Sequence, residues 1–283
     1  MKKFSVILSA VLMLSLITWT PSALAGKDKV ELVYVEWSCA TASTNVVKAV
    51  LQEKLGYDVE ITPVSAAAMW QALATGDVDG MTTAWLPVTH GHYLEKVADK
   101  VENLGENCAG AGIGMVVPQY VTISSIDELN AHANKFDGKI IGIDPGAGIM
   151  SKTEKAIETY GLKMKLMDSS GAMMTATLGN RIKDNQWVVV TGWTPHWKFA
   201  RWDLKYLKDP KGVYGGSEHI ATVVRKGLKA DKPEVYKVLD NFHWTLAEIG
   251  QVQGWNAEGA DPYESAKRWI KENPAKVAEW IGQ

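Results

Sequence analysis

What this chain lacks narrows its chemistry first. Among 283 residues there are two cysteines, Cys39 and Cys108, so neither a Cys-x-x-Cys redox pair nor a cysteine-rich zinc module can be built. No Gly-x-Ser-x-Gly elbow and no His-Glu-x-x-His helix occurs, and an enzyme would need such a nucleophile with its base, or a metal. There is no excess of positive charge: 30 Lys and Arg stand against 32 Asp and Glu, a formal net charge of −2. With no basic stripe and no Cys/His finger spacing, nucleic acid is excluded as a natural partner. Gly110-Ala-Gly112-Ile-Gly114 precedes a strand instead of following one, which removes the dinucleotide reading. His90-Gly-His92 has a spacing found in zinc sites, but no third ligand is suggested, so no metal and no cofactor is expected.

Long apolar runs are also missing, apart from one at the start. Lys2-Lys3 lead into an uncharged stretch from Phe4 to Trp19, and Ala23-Leu-Ala25 before Gly26 reads as a small-x-small cleavage site. Residues 1–25 are therefore expected to be a secretory leader cut near Ala25, and the stretch is too short and too soon followed by Pro21 to suggest a membrane span. No cysteine follows the cut to carry a lipid. Losing the two leader lysines takes the formal charge from −2 to −4. In an exported chain the two cysteines read most simply as one Cys39–Cys108 disulfide; the alternative, a reactive thiol, would need a base that the sequence does not announce.

What is present is tryptophan, placed where strands end. Gly80-Met-Thr-Thr-Ala-Trp85-Leu-Pro87-Val-Thr-His90 and Val188-Val-Val-Thr-Gly-Trp193-Thr-Pro195-His196 each put a Trp, a Pro and a His at the tip of a buried strand. Proline removes a donor and restricts its predecessor, so each strand is expected to stop there and present its Trp in a loop. Trp37 follows a third strand, Val30 to Glu36, just before a helix.

Strand and helix signals alternate along the chain, which argues for α/β construction. Helices are expected over 41–55, capped by Ser43 or Thr44 and stopped by Gly56, over 65–75, over 150–160 and over 170–183, with a further capped helix from Ser125. Strands are expected at 57–63, at the run to Trp85, and over 111–118, 139–144, 187–191 and 219–225. From Asp231 onward the chain reads as helical, with Trp244, Trp255, Trp269 and Trp280 anchoring helices to the first lobe. The pattern predicts two similar lobes joined by two connecting strands, with a ligand in the cleft: lobe 1 from 26–112, lobe 2 from 113–217, and a return to lobe 1 over 218–283.

A lone Trp at a strand end is by default core or rim packing; three in equivalent positions point to a shared task. Indole faces suit a cation with no hydrogen bond to offer, each contributing on the order of 0.5–2 kcal/mol. The bare backbone of Gly146-Ala-Gly148 at a helix start offers free N–H groups and the positive end of a dipole to an anion. His196 reads as a rim donor or as a loop residue bonded to backbone, and Asp144 and Glu36 as acids near the cleft or as turn and edge residues. Trp70, Trp187, Trp197 and Trp202 read as packing.

The segments from Gly76 to His90, from Gly142 to Met150 and from Val190 to Trp197 resemble the substrate-binding proteins of glycine betaine ABC importers, and the resemblance spans nearly all of the chain after the leader. It implies a type II periplasmic-binding-protein clamshell, a soluble receptor in the periplasm, and delivery of a quaternary ammonium or sulfonium zwitterion to permease subunits without catalysis. It also implies that Trp37, Trp85 and Trp193 cage the onium group while His90 and the amides of Gly148 and Ile149 hold the carboxylate. Choline, carnitine, proline betaine and dimethylsulfoniopropionate remain alternative ligands, and a metal-dependent enzyme on a similar scaffold the alternative class.

Overall fold

Strand β1 (Lys27–Tyr34) is almost wholly apolar from Val30 onward and is flanked by parallel partners on both edges, as a run without polar alternation requires. It opens a βαβαβ unit: α1 (Ser38–Leu55), β2 (Tyr57–Pro63), α2 (Ala66–Thr75) and β3 (Gly80–Leu86). Gly56 and Gly76, both left-handed, end the two helices, and the Ser65 hydroxyl caps α2 by accepting from the Ala68 amide at 3.4 Å. The computed structural model describes residues 27–283. The leader expected at 1–25, with its cut near Ala25, lies outside the described residues.

The chain continues through α3 (Gly91–Val97) into β4 (Val101–Pro118), a strand of 18 residues. A 3-10 helix (Ile126–Phe136), β5 (Lys139–Ile141), α4 (Gly148–Tyr160), β6 (Lys165–Met167), α5 (Gly171–Lys183), β7 (Val190–Thr194), α6 (Lys198–Arg201) and β8 (Leu204–Tyr206) form the second unit. The chain then returns as β9 (Glu218–Arg225) and closes with α7 (Leu228–Asp231), α8 (Pro233–Asn241), α9 (Leu246–Ala257), α10 (Pro262–Glu272) and α11 (Pro274–Ile281).

The strands run β2-β1-β3-β9-β4-β7-β5-β6, with β8 on β4. β4 belongs to both halves: Val101 to Ala111 pairs antiparallel with β9, and Gly112 to Val116 pairs antiparallel with β7. The crossing therefore occurs within one strand, near Ala111 and Gly112. Register shifts interrupt its ladder at Asn103/Gly105, Glu106/Cys108 and Cys108/Ala111, so the strand bends before it changes partners. The second crossing is the segment that leads from β8 into β9.

Several expectations are corrected. Trp85 and Trp193 are not in loops: Trp85 pairs with Ile220 and Trp193 with Ile113, inside their ladders. Proline stops each strand only after the residue that precedes it, because ladder pairing continues through Leu86 and Thr194. The strand expected at 187–191 runs over Val190–Thr194, its end extended for the same reason, and Trp187 instead packs on Phe136, with ring centroids 5.2 Å apart. Helix α1 starts at Ser38 rather than Thr41, so Ser43 and Thr44 are buried within it and cap nothing. Ser125 gives no side-chain cap; its hydroxyl bonds Asp127 and the carbonyl of Lys208.

Helices α9 and α10 pack on α1, which fixes the C-terminal segment to the first unit. Trp269 and Trp280 stack at 5.4 Å with an interplanar angle of 10°, and Trp244 meets Trp269 edge-on at 5.9 Å. Trp255 differs from these three, being half-buried under the Arg268 guanidinium at 4.0 Å. The indole N–H groups of Trp244, Trp269 and Trp280 have no hydrogen-bond partner among the described residues, so their contribution is packing. Trp269→Ala is expected to destabilise the fold by about 3–5 kcal/mol, read as a lower urea midpoint.

Candidate functional site

The crossing in β4 brings β3, the start of α1 and the start of α3 from the first unit against β7 and the start of α4 from the second. Between them lies a small, partly open pocket. Trp37, Trp85, Trp193, His90, Gly148 and Ile149 all line it. Thr89, Ile113, Ile143 and Ala147 complete the lining, so the cavity wall contains no Asp, Glu, Lys or Arg.

Each ring is placed by its backbone. Trp37 occupies the N-cap position of α1 in extended conformation, and its indole N–H donates to Asp144 Oδ1 at 3.1 Å, across from one unit to the other. Trp85 and Trp193 are ladder residues of β3 and β7, and both indole nitrogens are buried without a hydrogen-bond partner among the described residues. Beside the Trp193 nitrogen lies the Cys39 sulfur, without a well-aligned hydrogen bond between them.

His90 closes a tight loop on the end of β3. Its amide donates to the Trp85 carbonyl at 2.8 Å, and its Nδ1 accepts from the Trp85 amide at 3.1 Å. An accepting Nδ1 carries no proton, so the neutral ring holds its hydrogen on Nε2. That Nε2 is buried and has no protein partner among the described residues. Burial, reinforced by His92, holds the His90 pKa down to about 3. The ring is a neutral donor throughout the physiological range. Trp70 stands edge-on to it at 6.1 Å.

Opposite stands the first turn of α4. Gly148 and Ile149 are its first two residues, whose amides have no intrahelical acceptor. Gly146 takes φ +91°, which a side chain would resist, and a Cβ on Gly148 would fall 2.3 Å from the Thr89 carbonyl oxygen. The bareness of this loop is a condition for the two units to meet. They meet elsewhere too: the Tyr93 hydroxyl donates to the Gly146 carbonyl at 3.0 Å, and Gln253 Nε2 to the Pro195 carbonyl at 3.3 Å.

Two candidates take other roles. Asp144 does not line the cavity; it holds the Trp37 indole and faces a larger groove beside Glu36 and Ser170. His196 does not line the cavity: it is buried edge-on against Trp193 at 4.7 Å, its Nδ1 accepts from the Lys198 amide at 3.1 Å as a loop residue bonded to backbone, and burial lowers its pKa well below the ordinary value. The Cys39–Cys108 disulfide is not formed. Both are buried free thiols, with the Cys108 sulfur turned to the Ala109 carbonyl at 3.7 Å, and burial pushes their pKa values up to about 11 and 12. Among the described residues no three His, Cys, Asp or Glu side chains could hold a metal, and no helix is long and apolar enough to cross a membrane.

Residues 28–272 match the family described as the substrate binding domain of ABC-type glycine betaine transport systems. The chain belongs to this family. Lactococcal OpuAC, solved closed and complexed with glycine betaine, is 46% identical over 90% of this chain and 99% of its own, with a TM-score of 0.86. An ABC-transporter choline binding protein solved with choline is 29% identical over 90% of this chain and 91% of its own, with a TM-score of 0.83. The glycine betaine/carnitine transport binding protein GbuC of Listeria monocytogenes serotype 1/2a (strain 10403S) is 51% identical over 162 residues, which are 56% of this chain and 54% of GbuC; the match spans about half of that relative. The fold is that of the family, a type II periplasmic-binding-protein clamshell.

Sequence reasoning missed Thr89 and Glu218. Thr89 lies beside His90 as a residue type that announces nothing, and Glu218 directly precedes the strand expected over 219–225. In the fold Glu218 is buried and accepts from the Val88 amide at 3.1 Å, the Thr89 amide at 2.6 Å and the Thr89 hydroxyl at 2.6 Å. The first residue of the returning strand thus shapes the loop between Trp85 and His90. Nothing short of the fold brings positions 89 and 218 together.

The buried histidines set a pH dependence of stability. Unfolded, His90 and His196 take a proton as pH falls through about 6.5; folded, His90 resists until about 3, and His196 is shifted in the same direction. Their contribution is complete above the unfolded value and is lost below it, at up to about 1.4 kcal/mol per pH unit for each. The urea midpoint should fall on going from neutral pH to about pH 5, with a smaller fall in His196→Asn, whose side-chain oxygen can still accept from the Lys198 amide.

Proposed function

We propose that this chain is the extracytoplasmic receptor of an ABC importer for glycine betaine, capturing it between two lobes and delivering it to permease subunits in the membrane. The supporting observation is one cavity that joins three indoles to a neutral histidine donor and two first-turn amides, with no charged side chain in its wall. A trimethylammonium group has no N–H to donate, so shape, methyl desolvation and π faces must recognise it. A carboxylate needs donors, and His90 Nε2–H with the Gly148 and Ile149 amides supplies them from opposite sides of the cleft. The ligand would bridge the lobes and stabilise their closure.

The uncharged wall favours a zwitterion. A bare cation such as choline would bring its charge into a buried site without a counter-ion, whereas a betaine carries its own. Dimethylsulfoniopropionate satisfies the same two ends and is the nearest competitor; choline is the second reading, supported by the choline-bound relative. Carnitine and proline betaine carry the same two ends on bulkier frames and would need more room between the same residues. We place lobe 1 at 26–112 and 218–283 and lobe 2 at 113–217, with a cleaved leader at 1–25 and the mature protein in the periplasm. In this reading it binds without catalysing: the two thiols, the groups closest to a nucleophile, are buried and protonated at neutral pH.

Calorimetric titration with glycine betaine, choline and dimethylsulfoniopropionate tests the assignment. Trp85→Ala and Trp193→Ala should each weaken betaine binding by roughly ten- to a hundredfold, the loss of one π face and its apolar contact, while the ligand-free protein still unfolds cooperatively. Unchanged affinity in both would remove the cage. In His90→Ala, betaine should lose more affinity than choline, since only betaine has a carboxylate to hold; equal losses would count against that role.

A further inference from the structure

Behind the cavity lies a cation that the binding scheme does not use. Lys198 opens α6 and is 0% exposed, and its Nζ has no hydrogen-bond partner among the described residues. The ammonium lies over the Trp193 ring, 4.3 Å from its centroid, and over Phe199 at 5.3 Å. Lys198 lines no part of the cavity, so it approaches Trp193 from outside the space where an onium group would sit. One indole is thereby shared between a protein cation and a ligand cation.

The groups that face Lys198 leave its charge uncompensated. From α1 comes Cys39, a thiol held protonated by burial, and from its own loop comes His196, kept neutral by burial; on Phe199, beneath the ammonium, Tyr206 of β8 stacks at 5.2 Å with its hydroxyl bonded to Thr194. No carboxylate pairs with it among the described residues. Burial lowers the Lys198 pKa to about 7, opposed by the nearby Cys39.

Taking the cage as read above, we propose that Lys198 tunes ligand capture through Trp193, opposing the onium group when protonated and releasing the ring to it when neutral. Two positive charges on one indole repel each other across it and compete for the same π density. Binding then displaces a proton from the Lys198 ammonium to solvent, and affinity rises with pH through the titration of the lysine. His90 stays neutral across that range and the ligand carboxylate stays ionised, so neither masks the effect.

The experiment is titration calorimetry of the full mature protein with glycine betaine at about pH 6, 7 and 8.5, in phosphate and in Tris, whose different ionisation heats reveal proton exchange. A downward shift of one unit in the bound state makes the affinity about fivefold higher at the alkaline end than at the acid end, with a fraction of a proton released near neutrality. Lys198→Met, which fills the same space without charge, should flatten the profile and release no proton. Wild-type binding that is tight but independent of pH, without proton release, overturns the role of Lys198 alone, and needs no variant. A wild-type pH profile retained in Lys198→Met does the same. Absence of betaine binding at every pH would overturn the cage itself, and this proposal with it.

Discussion

The hydrogen bond from the Trp85 amide to His90 Nδ1 is the interaction on which the site's chemistry depends. It fixes the tautomer of a buried imidazole, so that the remaining N–H is a donor and not an acceptor. It also ties that donor to the backbone of Trp85, a ring of the proposed cage five positions away, through the same loop. Donor and ring are thus set at one spacing by a single turn of chain, before any contact between the lobes is made. The remaining donors come from elsewhere in the fold, and Gly148 lets them approach because it has no side chain to stop the Thr89 carbonyl.

Around the cage, charges are placed at the rings rather than in the cavity wall. Asp144 meets the Trp37 indole at its N–H edge, where a negative charge orients the ring and reinforces its electron density. Lys198 lies over the Trp193 face, where a positive charge does the opposite. The wall itself stays neutral, so in the proposed binding mode selectivity would be adjusted through the rings and not by direct pairing with the ligand. Such indirect placement keeps the desolvation cost of a charged wall out of the binding step.

Much of this was legible in the sequence, and the failures have a pattern. The βαβαβ unit could be read because Gly56, Gly76 and Ser65 punctuate it locally, and Trp85, His90, Gly148, Ile149 and Trp193, which line the pocket, because proline or glycine stands close by. The errors at Trp85 and Trp193 came from treating proline as ending a strand too early, when it only forbids a donor at its own position; Trp187 was drawn out of its strand by packing on Phe136. Thr89, Ile113, Ile143 and Ala147 lay inside the quoted motifs or the glycine-rich run, yet are residue types that announce nothing. Glu218 and Asp144 owe their places to partners more than a hundred positions away, so no local pattern could reveal them. The expected disulfide failed for a similar reason: spacing allows a bridge, but the direction in which Cys108 turns along β4 is a property of the folded strand.

The continuity of β4 has a consequence for how this molecule can be divided. A cut between residues 112 and 113 would pass through the β4–β7 ladder, leaving Gly112 and the β9 pairing on one side of the cut and the rest of the β7 pairing on the other. Neither fragment would keep a finished sheet: each would end in a truncated strand with bare amides and carbonyls at its end, the kind of surface that recruits other chains. Dissection into separately expressed halves, or exchange of one half for that of a relative, therefore has to carry the whole of β4 with one partner and rebuild the other edge.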